Sequence, residues 1–140
     1  MSLQRLSNLC VADLMTIDPC LIARDASVAD AEALMAERRV SGLPVVDDGG
    51  QLVGVVSQTD LMYLTRPRVR SLMDRWETPL SVQEIMSSPP VTVSSTMSLE
   101  NAARVMTEHE VHRVVAVDRK GRPVGVLSAT DFVQLAASTD

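Results

Sequence analysis

The sequence is poor in aromatic side chains, in lysine and in histidine. Its 140 residues hold three aromatics, Tyr63, Trp76 and Phe132, and a single lysine, Lys120, beside twelve arginines. Acidic residues outnumber basic ones, leaving a formal net charge of −5. A nucleic-acid groove needs clustered cations and stacking platforms, so this balance disfavours one. No stretch approaches the ~18 uncharged apolar residues of a membrane span, so no membrane role is expected. His109 and His112 are the only histidines, and no cysteine–histidine spacing suggests a metal site. Cys10 and Cys20 are too few for a disulfide framework. Residues 1–8 show no apolar run behind a basic start, and the expected setting is a reducing, cytoplasmic one. There is no Gly-x-x-x-x-Gly-Lys loop and no nucleophile–base–orienter set, so a non-catalytic protein is expected.

What the chain does have is a repeat. Val11–Leu64 aligns without a gap on Val82–Leu135 at a constant shift of 71, and about a third of the pairs are identical. The matches include Met15 with Met86, Pro19 with Pro90, Ser27 with Ser98, Gly54 with Gly125 and Asp60 with Asp131. The division that follows is an N-terminal segment (1–10), repeat 1 (11–64), a linker (65–81), repeat 2 (82–135) and a short tail (136–140).

Both repeats carry the same structural signals. A short apolar run follows each proline, Cys20-Leu21-Ile22 and Val91-Thr92-Val93, and proline is tolerated just before a strand. Ser27 and Ser98 suit helix N-caps, with apolar residues behind them at helical spacing. Two Val-rich runs then flank an Asp/Gly turn, a hairpin signal, before a second helix near Gln58 or Ala129. Each repeat thus reads β-α-β-β-α, with a parallel crossover and an antiparallel final pair. A unit of this size buries little apolar surface alone, so the expectation is one α/β body of two packed repeats with pseudo-two-fold symmetry.

The order β-α-β-β-α, the run Leu43 to Asp47, and the endings Gly54 to Asp60 and Gly125 to Asp131 resemble a tandem cystathionine β-synthase (CBS) domain pair, or Bateman module. The resemblance implies a module for adenosine-containing ligands, such as AMP, ADP, ATP or S-adenosylmethionine, with no cofactor required. It also implies regulation of a protein partner, whose identity it leaves open, and dimerisation of the module.

At each Ser-x-Thr-Asp element a carboxylate stands where a strand meets a helix. Asp60 or Asp131 suits the two hydroxyls of a ribose, a charge-assisted pair of bonds. Ser57 and Thr59, or Ser128 and Thr130, suit the sugar or an α-phosphate. The same residues also form the Ser-x-x-Asp capping signature, and the two roles are compatible. His112-Arg113 offers an imidazole and a guanidinium fork for phosphate oxygens. The family likeness is to the phosphate-gripping pair of AMP-sensing kinase γ-subunits. Repeat 1 departs here, with Ser41-Gly42, so one site is expected to hold phosphate better than the other. The alternative for His112-Arg113 is an exposed strand edge that only solubilises.

The family's sites are bipartite. Carried over, one set is Met86, Val91, Val111, His112 and Arg113 with Ser57, Thr59 and Asp60. The other is Met15, Cys20, Val40 and Ser41 with Ser128, Thr130 and Asp131. Methionine and valine suit the faces of a purine, though each also suits an ordinary core. In the linker, Arg66, Arg68, Arg70 and Arg75 with Trp76 suit either a solvated connection or a patch for an acidic group. The expected function is a ligand-sensing regulatory module, and the family resemblance implies a homodimer. The alternative is a dimerisation platform with vestigial sites.

Overall fold

A computed structural model describes residues 3–63 and 80–138. In chain order the elements are α1 (Leu3–Asn8), α2 (Val11–Leu14), β1 (Thr16–Ile17), β2 (Ile22–Ala23), α3 (Val28–Arg38), β3 (Gly42–Val46), β4 (Leu52–Ser57) and α4 (Gln58–Tyr63). They continue with α5 (Val82–Ile85), β5 (Thr92–Ser94), α6 (Leu99–Glu108), β6 (Arg113–Val117), β7 (Pro123–Ser128) and α7 (Ala129–Ala137). The linker arginines Arg66, Arg68, Arg70 and Arg75, with Trp76, lie outside the described residues.

Serine starts the long helix of each repeat, as the sequence predicts. Ser27 Oγ accepts from the Asp30 amide at 3.0 Å, and Ser98 Oγ from the Asn101 amide at 3.1 Å. Each bond satisfies one of the free amides of a first helical turn. The residues facing inward recur at helical spacing: Ala31 and Met35 on α3, and Leu99, Ala102 and Met106 on α6, are all buried. The expected strand order also holds. The parallel pairs are β2 with β3 and β5 with β6, and the antiparallel pairs are β3 with β4 and β6 with β7. The first strands begin slightly later than expected, at Ile22 and Thr92.

The packing units are cut differently from the repeats. One unit is Cys20–Pro90, and the other joins Met1–Pro19 to Val91–Asp140. The cut follows Pro19 and Pro90, the same position in both repeats. Each repeat therefore lends its opening residues to the other repeat's core. The unit Cys20–Pro90 holds the sheet β2-β3-β4. Its core of Ile22, Ala31, Met35, Leu43, Val45 and Val56 is completed by Val82, which is fully buried. The split unit holds the sheet β1-β7-β6-β5, because β1 adds to β7 antiparallel, Thr16 opposite Val126 and Ile17 opposite Gly125. Val11 is fully buried there among Val93, Leu99, Val114 and Leu127. The N-terminal segment is also part of this unit. Helix α1 lies along α6, Ser7 Oγ donates to Glu100 at 2.6 Å, and Leu6 and Leu9 pack on the core.

The hairpin turns repeat as well. Asp47 Oδ1 accepts from the Gly49 and Gln51 amides, both at 2.9 Å. Asp118 Oδ1 accepts from the Lys120 amide at 2.8 Å and the Arg122 amide at 3.0 Å. The bond from the Arg122 backbone is the main reason the Asp118 carboxyl is held below the ordinary carboxylate range. A depressed folded value contributes stability that is present above the unfolded value, about pH 4, and is lost as pH falls through the folded one. Asp118→Asn is thus expected to be less stable than wild type in urea at about pH 6, with the gap closing as pH falls from the unfolded value through the lower folded one. A gap that persists in acid would show that charge is not its cause.

Candidate functional site

The Ser-x-Thr-Asp elements sit where β4 runs into α4 and β7 into α7. Asp60 Oδ2 accepts from the Ser57 amide at 2.8 Å and the Ser57 hydroxyl at 3.0 Å, while the Asp60 amide reaches back to Ser57 Oγ at 3.3 Å. The second copy repeats this at 2.8, 3.1 and 3.3 Å between Ser128 and Asp131. Both elements are capping boxes, so the capping role is realised. A carboxylate offers about four lone-pair directions, and the box uses only those of Oδ2. Oδ1 of Asp60 and of Asp131 takes no bond among the described residues. The cap fixes the rotamer and leaves one oxygen to accept from a ligand. Ser57, Asp60, Ser128 and Asp131 are half-buried, and Thr59 and Thr130 are exposed beside them.

Hairpin pairing places the start of each second strand next to its own Ser-x-Thr-Asp. Gly42 lies opposite Ser57 and Arg113 opposite Ser128. The Ser41 carbonyl accepts from the Gln58 amide at 2.9 Å, and the His112 carbonyl from the Ala129 amide at 2.8 Å. His112 is exposed and Arg113 half-buried. The split unit therefore brings together His112, Arg113, Ser128, Thr130 and Asp131. Cys20–Pro90 brings Ser41 to Ser57, Thr59 and Asp60.

The apolar candidates divide the same way. Cys20, Val40 and Met86 are half-buried and pack on the core of Cys20–Pro90. Met15, Val91 and Val111 are half-buried and pack on the split-unit core. The two methionines have a special seat. A Cβ on Gly54 would lie 2.5 Å from Met86 Sδ and 2.8 Å from the Ser87 carbonyl oxygen. A Cβ on Gly125 would run into Met15 Sδ and stand 3.0 Å from the Thr16 carbonyl oxygen. Each methionine thus fills the space a buried glycine leaves on the last strand of a hairpin.

The structure also shows a feature that the sequence patterns did not reveal. The split unit has a cavity of about 490 Å³ lined by Ala103, Met106, Thr107, Glu110, Val111, His112, Ala129 and Phe132. Only Val111 and His112 belong to the sequence-derived candidates. The available signal was the pair of alanines, Ala103 and Ala129, where repeat 1 has Glu32 and Gln58. Among the described residues no cluster of three or more His, Cys, Asp or Glu side chains could hold a metal ion. No described helix is long and apolar enough to cross a membrane.

A family model, the CBS domain, matches residues 11–65 and again residues 82–138. The chain belongs to the CBS domain family. Among its relatives is CBS domain-containing protein CBSX2, chloroplastic, of Arabidopsis thaliana, 34% identical over 149 residues. That alignment covers 90% of this chain and 63% of the relative. Inosine-5'-monophosphate dehydrogenase of Mycobacterium bovis is 32% identical over 121 residues, 86% of this chain but 21% of the enzyme. The chain thus spans less than two thirds of either relative's length. A crystal structure of CBSX2 in complex with AMP matches with a TM-score of 0.79 at 34% identity, covering 93% of this chain and 97% of that one. The CBS domain pair of protein MJ0100, in complex with 5-methylthioadenosine and S-adenosyl-L-methionine, matches with a TM-score of 0.82 over 94% and 98%. At 21% identity it establishes likeness of fold. The two-repeat α/β CBS-pair fold expected from the sequence is thereby shown.

Proposed function

We propose that this chain is a regulatory module that binds an adenosine-containing ligand and passes its occupancy to a protein partner. The observation that carries the proposal is the duplicated, half-buried carboxylate whose one oxygen is tied into a cap while the other takes no bond among the described residues. That is the acceptor a ribose diol requires. The CBSX2 complex, at 34% identity, makes AMP the first ligand to test among AMP, ADP, ATP and S-adenosylmethionine. The groups assigned to the ligand are Ser57, Thr59 and Asp60, their counterparts Ser128, Thr130 and Asp131, and His112-Arg113 for phosphate.

We read the module as non-catalytic, in need of no resident cofactor, and placed in the reducing setting of the cytoplasm that suits two free cysteines, Cys10 and Cys20. We also read it as a homodimer. In support, Met62 on α4 and Val133 on α7, equivalent positions in the two repeats, are 68% and 66% exposed. A ligand shifts a partner's state only through its differential affinity for two states of the module, so regulation requires two such states.

A thermal-shift screen of AMP, ADP, ATP, S-adenosylmethionine and NAD tests the ligand class, because binding to the folded state alone raises the melting temperature. Arg113→Ala is expected to weaken AMP by about tenfold, the scale of one charge-assisted bond, and to leave adenosine unchanged. Equal losses for both ligands would remove Arg113 from the phosphate role. One observation favours a second function, a dimerisation platform with vestigial sites: repeat 1 carries Ser41-Gly42 where repeat 2 has the phosphate-suited pair. In that case none of the five ligands raises the melting temperature.

A further inference from the structure

The two hairpin turns share a backbone and differ in charge. In each, the aspartate amide donates to the carbonyl of the residue four positions on, Asp47 to Gln51 at 2.9 Å and Asp118 to Arg122 at 3.0 Å. In each, a glycine amide donates back to the aspartate carbonyl, and that glycine is left-handed, Gly50 at φ 82° and Gly121 at φ 79°. The aspartate and the glycine are the residues this turn needs. Repeat 1 fills the other places with Asp48, Gly49 and Gln51. Repeat 2 fills them with Arg119, Lys120 and Arg122. The shape of the turn therefore does not require the three cations.

Their setting is unusual in this chain. Lys120 is the only lysine, and the chain as a whole carries −5. Among the described residues no other stretch of five holds three cations. All three residues are exposed, and the only ion pair among the described residues is Arg104 with Glu100. The one carboxylate in the turn, that of Asp118, is engaged by the loop backbone, where Oδ1 accepts from the Lys120 and Arg122 amides. The cations thus stand on a closed, hydrogen-bonded loop. That loop is at one end of the β6–β7 hairpin, and Arg113 and Ser128 are at the other, about 17 Å away along β7.

From this we infer that the β6–β7 turn is a docking site for an acidic segment of a protein partner, held by Arg119, Lys120 and Arg122; this rests on the reading above that the module acts on a partner. Guanidinium forks take carboxylates bidentately, and the lysine adds a third charge. The local reversal of sign steers an acidic segment to the turn of a chain whose net charge repels it. Two other polyanions fit less well. Recognition of an anionic membrane uses clusters of about 4–8 cations, often on an amphipathic helix. The turn has three cations and no apolar residue. Single-stranded nucleic acid needs aromatic platforms, and none of the three aromatics lies in the turn. The hairpin thereby joins two contacts, the ligand at the strand ends by Ser128 and the partner at the turn.

Grafting the repeat 1 turn onto repeat 2 tests this in the full chain. The graft, Arg119→Asp with Lys120→Gly and Arg122→Gln, keeps the Asp118 and Gly121 that shape the loop and takes the residues repeat 1 already holds in that conformation. A second variant, with glutamine at all three positions, removes the charge alone. The probe is a fluorescein-labelled peptide of about twelve glutamates, followed by anisotropy at about 50 mM salt, where screening is weak. Wild type is expected to bind it saturably. Both variants are expected to bind it at least about tenfold more weakly, the scale of losing three exposed ion pairs. Serine at Arg66, Arg68, Arg70 and Arg75 of the linker is expected to cost less than the graft. Variants of the turn that bind the peptide as wild type does, or a linker variant that loses more than the graft, overturn the proposal. So does a wild-type chain that ignores the peptide, or that prefers oligothymidylate or vesicles of phosphatidylcholine with phosphatidylserine. Titration of the graft with AMP is expected to match wild type, since the turn is at the far end of the hairpin from Ser128. Peptide binding without AMP binding removes the ligand reading and leaves the docking site; AMP binding without peptide binding removes the docking site alone.

Discussion

Asp60→Ala is expected to lower AMP affinity by roughly 10- to 150-fold, from the ~1.5–3 kcal/mol of hydrogen bonds to a charged group. The carboxylate has two duties that must be separated. Through Oδ2 it caps α4, accepting from the Ser57 amide and hydroxyl. Loss of a cap costs about 1 kcal/mol of stability. Through Oδ1 it is the proposed acceptor for the ribose. Asp60→Asn keeps the size of the side chain and an oxygen for the Ser57 amide but loses the charge. Calorimetric titration with AMP, run beside urea unfolding, divides the two roles. Both variants should lose affinity, and the asparagine variant should lose much less stability. If Asp60→Asn binds AMP as well as wild type, the charge has no part in ligand recognition. If Asp60→Ala also binds normally, the carboxylate serves only as a cap. Asp131→Ala probes the second copy in the same way.

Gly54→Ala is expected to cost about 1–3 kcal/mol in urea unfolding, the range for overpacking a filled interior. The added methyl would meet Met86 Sδ, which can turn aside, and the Ser87 carbonyl oxygen at 2.8 Å, which cannot. That carbonyl is held by the exchange between Val55 and Ser87, N–H to O at 3.1 Å one way and 2.9 Å the other. The variant must therefore loosen the segment that carries Met86 and Ser87 or shift β4. Gly49→Ala is the matched control, since its Cβ would meet only Asp47 Oδ1 at 3.5 Å, an ordinary contact. It should stay within about 0.5 kcal/mol of wild type. Equal behaviour of the two variants would show that the methionine seat is not tightly filled.

These two sites show what could be read from the chain and what could not. Signals that act over a few residues were legible. Ser27 and Ser98 cap their helices, and the Asp/Gly turns join antiparallel strands, because each needs only near neighbours in sequence. The Ser-x-Thr-Asp junctions were legible for the same reason, and the structure adds that one carboxylate oxygen serves the cap while the other does not. The exchange of opening segments was not legible. Helices α2 and α5 have four residues each, too few for a periodic pattern, and β1 has two. Their partners lie far away in sequence: Ile17 pairs with Gly125, and Val11 closes a core built mostly from repeat 2. Nothing local in Val11–Pro19 says which repeat it joins. Met15 and Met86 read equally well as purine walls or as core; their packing against Gly125 and Gly54 needed the strand register to be seen. The hollow beside Glu110 is not legible in the sequence for a related reason. It depends on the absence of side-chain volume at Ala103 and Ala129, which shows only when two helices and a loop are placed together.

The central claim is that this CBS pair binds an adenine nucleotide through its duplicated Ser-x-Thr-Asp junctions. Isothermal titration of the wild-type chain with AMP tests it most directly. The prediction is a saturable heat of binding with a dissociation constant below about 1 mM, weakened by Asp60→Ala. No saturable binding of AMP, and none of ADP, ATP or S-adenosylmethionine, at millimolar concentration would contradict the claim and leave the dimerisation platform in its place.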